Sequence, residues 1–241
     1  MLRSLHEITI ELSGAGAGTV ENHGLIKAPS GAIIDGIGDI EIVNTGRIAG
    51  SVEMGGGSDT IDTRKGTVTG IIIGDTGNDQ FWIGKSKVTI QEEMDGGYDY
   101  IHSTISYKLG DNLDSLELLG KKNLNGTANA EHNYLAGNAG NNVLKGMAGN
   151  DVIVGGKGND RLFSGEDLDT FRFAKGDGHD TIEDFMDKTD LLTIDGVYSQ
   201  GDVDALVIDD VKGGVVIEYA GGEIFLKGMK AVDITIADFN L

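Results

Sequence analysis

The 241-residue chain has no cysteine, one proline and one tryptophan. Without cysteine, structural disulfides and cysteine-ligated zinc or iron–sulfur centres are excluded. Aromatic residues make up only 6% of the chain, too few for an ordinary close-packed globule. Positive charge is scarce too: 19 lysines and arginines stand against 39 aspartates and glutamates, a formal net charge of −20. Nucleic acid is therefore not an expected partner, since binding it requires a basic patch. No run approaches the roughly 18 apolar residues of a membrane-spanning helix. The opening MLRSLHEITIELSGAGAG lacks a basic region followed by a long apolar run, so no cleaved N-terminal signal peptide is expected. Catalytic signatures are thin as well. No two of His6, His23, His102, His132 and His179 stand four apart. His6-Glu7 begins the zincin pattern H-E-x-x-H, but Ile10 takes the second histidine's place. Ser58 and Ser164 lack a G-x-S-x-G context. The chain is not expected to be an enzyme.

What is abundant is glycine, 39 residues, about twice the usual share. Between Gly137 and Arg172 it is spent on a strict count of nine: GNAGNNVLK, GMAGNDVIV, GGKGNDRLF and SGEDLDTFR follow without a gap. Asn142, Asp151, Asp160 and Asp169 hold the sixth place; Leu144, Ile153, Leu162 and Phe171 hold the eighth. The first six residues of each unit are rich in glycine, asparagine and aspartate, which tolerate the positive φ of a tight loop. The last three carry one large apolar residue, enough for a very short strand. Two units make one turn of a flattened coil, so residues eighteen apart stack. Calcium takes about 6–8 oxygen ligands; one loop offers roughly half of them, and two stacked loops complete the shell. Asn142 is thus paired with Asp160, and Asp151 with Asp169. The loop glycines Gly137, Gly140, Gly146, Gly149, Gly155, Gly156 and Gly158 belong to the same predicted sites. A further acidic loop follows, with Asp180 in its sixth place and Ile182 in its eighth.

A second period lies upstream. Asp39, Asp59, Asp79 and Asp99 are spaced by twenty, with Gly57, Gly77 and Gly97 two places before the last three and Ile61, Phe81 and Ile101 two places after them. GDTGNDQFW (74–82) fits the nonapeptide almost as well as the later array, which adds Gly74, Gly77 and Asp79 to the metal candidates, with Asp59 and Asp99 on either side. Asp39 has Ile37 for the preceding glycine and Glu41 for the apolar residue, so its coil is read as structural. VENHGLI and IVNTGRI repeat an N-x-G-x-I unit. Short strands with one acidic loop per turn of about twenty residues predict a β-solenoid.

The nonapeptide is G-G-x-G-x-D-x-U-x, and the chain resembles the repeats-in-toxin (RTX) family, secreted bacterial proteins of the haemolysin and serralysin type. The periods, the strand and turn pattern and the resemblance together predict an all-β fold: an N-terminal solenoid over 1–102, linking strands over 103–136, a calcium-binding parallel β-roll over 137–185, and an antiparallel cap over 186–241. Within the linker, AEHNYLA (130–136) reads as a degenerate unit with Asn133 in the acidic slot. In the cap, LLTI, ALVI, GVVIEY and EIFLKG read as strands, with hairpin turns at DVKGG and AGG. The phrase FRFAKGDGHDTIEDF (171–185) is similar to the serralysin-like lead into a C-terminal export signal, and Asp238, Phe239 and Leu241 resemble its ending, interrupted by Asn240. The resemblance thus implies several bound calcium ions, export through a type I secretion apparatus and an extracellular location. Three functions stay open: a surface, matrix or polysaccharide interaction module; the accessory and export module of a protease or epimerase; and a polysaccharide-processing β-helix enzyme.

Overall fold

The computed structural model describes residues 10–15, 18–27, 33–85 and 88–241, in two compact units, one comprising the chain to Ile105 with Gly110–Ser115 and the other Ser106–Leu109 with Leu116–Leu241. The His6-Glu7 pair lies outside the described residues. Among the described residues, apart from one helical turn and two short 3-10 turns, the regular structure is strand, most of it parallel.

In the first unit, Gly18–Asn22, Ile40–Asn44, Thr60–Asp62, Gln80–Ile83 and Tyr100–Ser103 stack as one parallel face. Ile10–Ala15, Ile33–Ile37, Val52–Glu53, Ile71–Ile73 and Thr89–Gln91 form a second, and Leu25–Lys27, Arg47–Ala49 and Thr67–Val68 a third. Each strand is too short to bury more than one to three side chains, so stability comes from stacking like on like. Ile42, Ile61, Phe81 and Ile101 lie in register and are fully buried. The N-x-G-x-I unit has a plain cause. Asn22 donates through its amide to Asn44 Oδ1 at 2.8 Å, and Asn44 donates to the Thr67 carbonyl at 3.2 Å, a buried asparagine ladder. Gly46 passes so close to the Gly24 carbonyl that a Cβ would overlap it.

The second unit is a flatter roll with two parallel faces. Tyr134–Ala136, Val152–Val154, Thr170–Phe173 and Leu191–Ile194 build one; Asn125–Thr127, Val143–Met147, Arg161–Gly165 and His179–Ile182 build the other. Their eighth-place residues face each other across the core: Leu135, Ile153, Phe171 and Leu192 against Leu144, Leu162 and Ile182, all at 0% exposure. The antiparallel cap is shorter than the sequence reading had it. Leu191–Ile194 is one more parallel rung, and residues 200–204 form a helical turn capped by Ser199 before the strand Val207–Val211. Val207–Val211, Gly214–Tyr219 and Gly222–Lys227 then fold as two hairpins, and Gly222–Lys227 pairs in parallel with His179–Ile182. The roll's open edge is thereby covered rather than left to template further pairing. The chain ends on the other face, where Phe239 bridges to Leu192.

Candidate metal centre

The sixth-place aspartates of the roll turn into the coil, and the Oδ1 of each accepts a backbone N–H from the preceding turn. In one row Asp151 accepts from Asn133 N (2.7 Å), Asp169 from Asp151 N (2.8 Å) and Asp190 from Asp169 N (3.2 Å). In the other, Asp160 accepts from Asn142 N (2.6 Å) and Asp180 from Asp160 N (2.9 Å). The stacked pairs expected from the eighteen-residue spacing are thus brought together. One oxygen of each acid ties two turns; the other decides the chemistry.

That second oxygen, Oδ2 of Asp151, Asp160, Asp169 and Asp180, is buried without a hydrogen-bond partner. Burial pushes the Asp151 carboxyl up to about 8, those of Asp160 and Asp169 to about 7 and that of Asp180 to about 6, with neighbouring aspartates pushing the same way. In the Asp151 and Asp160 loops a first-place glycine makes room for it. A Cβ on Gly155 would lie 2.7 Å from Asp160 Oδ2, and one on Gly146 2.5 Å from Asp151 Oδ2. The second place takes a left-handed backbone at Met147 (φ 86°), Gly156 (φ 83°) and Gly165 (φ 106°), and the fourth place does so at Gly149 and Gly158. A buried acceptor-only oxygen over a small cradle is expensive unless a cation meets it, and hard carboxylate and carbonyl oxygens suit calcium. The donor set therefore fits the ion.

Not every loop is built this way. In 137–142, Asn138 is not left-handed, and its N–H turns inward to Asn142 Oδ1 at 2.8 Å. The Asn142 amide donates to the Leu124 carbonyl at 2.9 Å and to Asn138 Oδ1 at 3.2 Å, while Asn138 Oδ1 also accepts from Gly140 N. Asn129 N reaches Asn133 Oδ1 at 3.0 Å by the same geometry. Met186 N donates to Asp190 Oδ2 at 2.9 Å. In these loops the inner oxygen already accepts a hydrogen bond; two of the three have asparagine in both the second and the sixth place, and the third has Met186 and Asp190 there. Gly137 and Gly140 serve close approach there: a Cβ on Gly137 would overlap the Gly155 carbonyl, and one on Gly140 would lie 2.5 Å from that of Lys122.

The upstream candidates repeat the ladder. Asp59 accepts from Ile40 N (2.7 Å), Asp79 from Asp59 N (2.8 Å), Asp99 from Asp79 N (2.8 Å) and Asp114 from Asp99 N (2.7 Å). Gly77 is left-handed at φ 134° and runs against the Gly57 carbonyl. Beside Gly74, burial and the surrounding acids push Asp79 up to about 8. Asp59 has buried Met54 in the first place, where Asp79 has Gly74. Asp39, at the structural coil, is exposed and accepts from Ser58 N. Sequence reasoning missed Glu92, Asp114, Asp184 and Asp190, none of which stands in the sixth place of a recognisable unit. Asp184 accepts from both Ser164 N (2.8 Å) and Ser164 Oγ (3.1 Å), so a serine–aspartate pair stands in the Asp169 loop where the Asp151 and Asp160 loops have glycine.

Residues 127–171 match the model of the RTX calcium-binding nonapeptide repeat, in four copies. Among solved structures the chain is similar to the AlgE6R3 subunit of the mannuronan C5-epimerase from Azotobacter vinelandii, at 26% identity over 55% of this chain and 80% of that one, with a TM-score of 0.38. It is also similar to the extracellular lipase LipA from Serratia marcescens, at 18% identity over 89% of this chain, with a TM-score of 0.43, and spans 40% of that chain. No curated protein matches it.

Proposed function

The chain carries RTX calcium-binding nonapeptide repeats, which bind calcium ions, and from that premise we propose that it is a secreted, non-catalytic module that folds on calcium outside the cell and engages a surface, matrix or polysaccharide. The observation that carries the reading is the set of buried, partnerless Oδ2 atoms at Asp151, Asp160, Asp169 and Asp180. These carboxylates sit where only a cation or a proton makes them tolerable. Affinities typical of extracellular modules, Kd of about 10⁻⁴–10⁻³ M, leave such loops empty in a low-calcium cytosol and filled outside. Asp151 and Asp169 supply one row, and Asp160 and Asp180 the other; the closed loops at Asn133, Asn142 and Asp190 bound the rows without metal.

Export through a type I apparatus suits the same switch. Asp238 is 0% exposed, accepts from Lys188 N and Thr235 N, and precedes Phe239 on the roll. An export signal made of these residues is readable only before the roll closes, which low calcium ensures. The deciding experiment is a calcium titration of the full chain followed by circular dichroism and hydrodynamic radius. Strand signal and compaction appear together between chelator and millimolar calcium; a chain unchanged across that range sinks the reading.

A further inference from the structure

Outside the nonapeptide array, the first unit gathers three carboxylates around one glycine. Asp79, Glu92 and Asp99 each present an oxygen within 4.8 Å of the others. Asp79 and Asp99 are 0% and 1% exposed, and the Oδ2 of each is buried without a hydrogen-bond partner. Both oxygens of Glu92 are buried and partnerless as well. Gly74 shows where they aim: a Cβ there would overlap Glu92 Oε1 and lie 2.5 Å from Asp79 Oδ2. The charges bearing on Glu92 come from Asp99, Asp79, Asp75 and Asp114, all acidic. Anions this close, with water largely removed, repel one another unless a cation sits among them.

Glu92 is not a loop residue of the motif. It follows the strand Thr89–Gln91, which pairs with Ile71–Ile73 so that Gly74 N donates to the Gln91 carbonyl at 3.2 Å. The next coil therefore passes over Gly74 with Glu92, where a nonapeptide would bring another small residue. A cavity of about 490 Å³ lies against Glu92, lined also by Asp75, Glu93 and Asp111. Its acidic wall concentrates cations at the entrance.

We propose that Asp79, Glu92 and Asp99 form a separate calcium site in the first unit, with Glu92 as the ligand the loop motif does not supply and the acidic cavity as its entrance. The donors are all hard oxygens with no histidine or thiolate, which disfavours zinc. Calcium–oxygen distances of about 2.3–2.6 Å let one ion bridge oxygens this far apart, whereas magnesium at about 2.0–2.1 Å demands a tighter octahedron. The site stands whether or not the roll binds as described above.

Trp82, the single tryptophan, follows Asp79 by three residues, about 10 Å along a strand. Terbium, a calcium mimic that emits when excited through a nearby tryptophan, therefore reports this site in the full chain. Calcium displaces the sensitised emission and magnesium at equal concentration does not. Glu92→Gln weakens terbium at this site by at least about tenfold and removes one calcium from the stoichiometry, while the calcium midpoint of the circular dichroism stays put. Asp160→Asn does the reverse. Glutamine keeps the length and removes a buried charge, so folding is preserved. Should it fail, the wild-type emission decides, because a chain with no calcium-displaced emission through Trp82 has no such site. Unchanged emission and stoichiometry in Glu92→Gln overturn the proposal equally.

Discussion

A single oxygen separates a structural aspartate from a metal ligand in this chain. In Asp160, Oδ1 holds the preceding turn through Asn142 N and Oδ2 is left over; in Asp190 both oxygens accept backbone N–H groups. Replacing Asp160 or Asp151 with alanine therefore removes a turn-to-turn bond and a ligand together. The expected result is a calcium midpoint raised by an order of magnitude or more, measured by titration with circular dichroism. Asp202 is the control. It is half-buried, accepts from the Ser199 hydroxyl and Tyr198 N at the start of the helical turn, and is held below the usual carboxylate range by that hydroxyl. Asp202→Ala leaves the calcium midpoint in place. If it moves the midpoint as far as Asp160→Ala, bulk acidity and not register governs binding. Glycine is the second half of the site. The added Cβ in Gly155→Ala presses on Asp160 Oδ2, and the expected loss of calcium affinity is about 10–100-fold, read by calorimetry.

At the scale of the loop, the second-place backbone sets whether a unit is open or closed. Asn142→Asp tests this. It deletes the amide donor to Leu124 and Asn138 and places a carboxylate oxygen against two carbonyl-type acceptors. Leaving such groups unsatisfied costs about 1–3 kcal/mol, so the calcium-saturated protein melts lower than wild type; an unchanged or raised melting temperature counts against the closed-loop assignment. The open loops respond to pH in the opposite sense to most carboxylates. Their folded pKa values, about 6 to about 8 at Asp79, Asp151, Asp160, Asp169 and Asp180, lie above the roughly 3.9 of an unfolded aspartate. The folded chain thus holds protons that the unfolded chain releases. In chelator, stability is greatest below about pH 4 on this account and is lost as pH rises towards about 8. With saturating calcium the ion replaces the protons, and stability falls on acidification instead. Melting curves across that range, with and without calcium, show the two slopes crossing; parallel slopes would mean that the buried acids and the metal do not share a site.

For the molecule as a whole, the net charge of −20 makes the ion part of the fold. Each calcium cancels two charges at closely spaced carboxylates, so compaction of the roll and ion uptake by its loops are expected to be one transition. Small-angle scattering in chelator gives an expanded chain, and added calcium contracts it at the same concentration that restores the strand signal. Monovalent salt at equal ionic strength screens the repulsion without restoring the strands, because it supplies no coordination. Full recovery in monovalent salt alone would reduce calcium to a counterion.

The sequence by itself determined the periods, and with them the solenoid, because one apolar residue per short strand has to stack on its own kind: Ile153 on Phe171 and Leu144 on Leu162 follow from counting. It also determined the acidic rows, since sixth-place residues eighteen apart meet whenever two units make a turn. It did not separate Asn142 from Asp160 in function, because the distinction rests on which way the Asn138 peptide faces, a backbone choice with no residue code of its own. Leu191–Ile194 read as part of the cap because only its pairing partner, Thr170–Phe173, shows it to be one more rung of the roll. Glu92 was invisible for a similar reason. It occupies no repeat position, and only the parallel pairing of Thr89–Gln91 on Ile71–Ile73 lays its carboxylate over Gly74 and against Asp79. Local composition sets what a residue can offer; tertiary stacking decides which oxygens are left unsatisfied, because that depends on the turn above and not on the residues beside it.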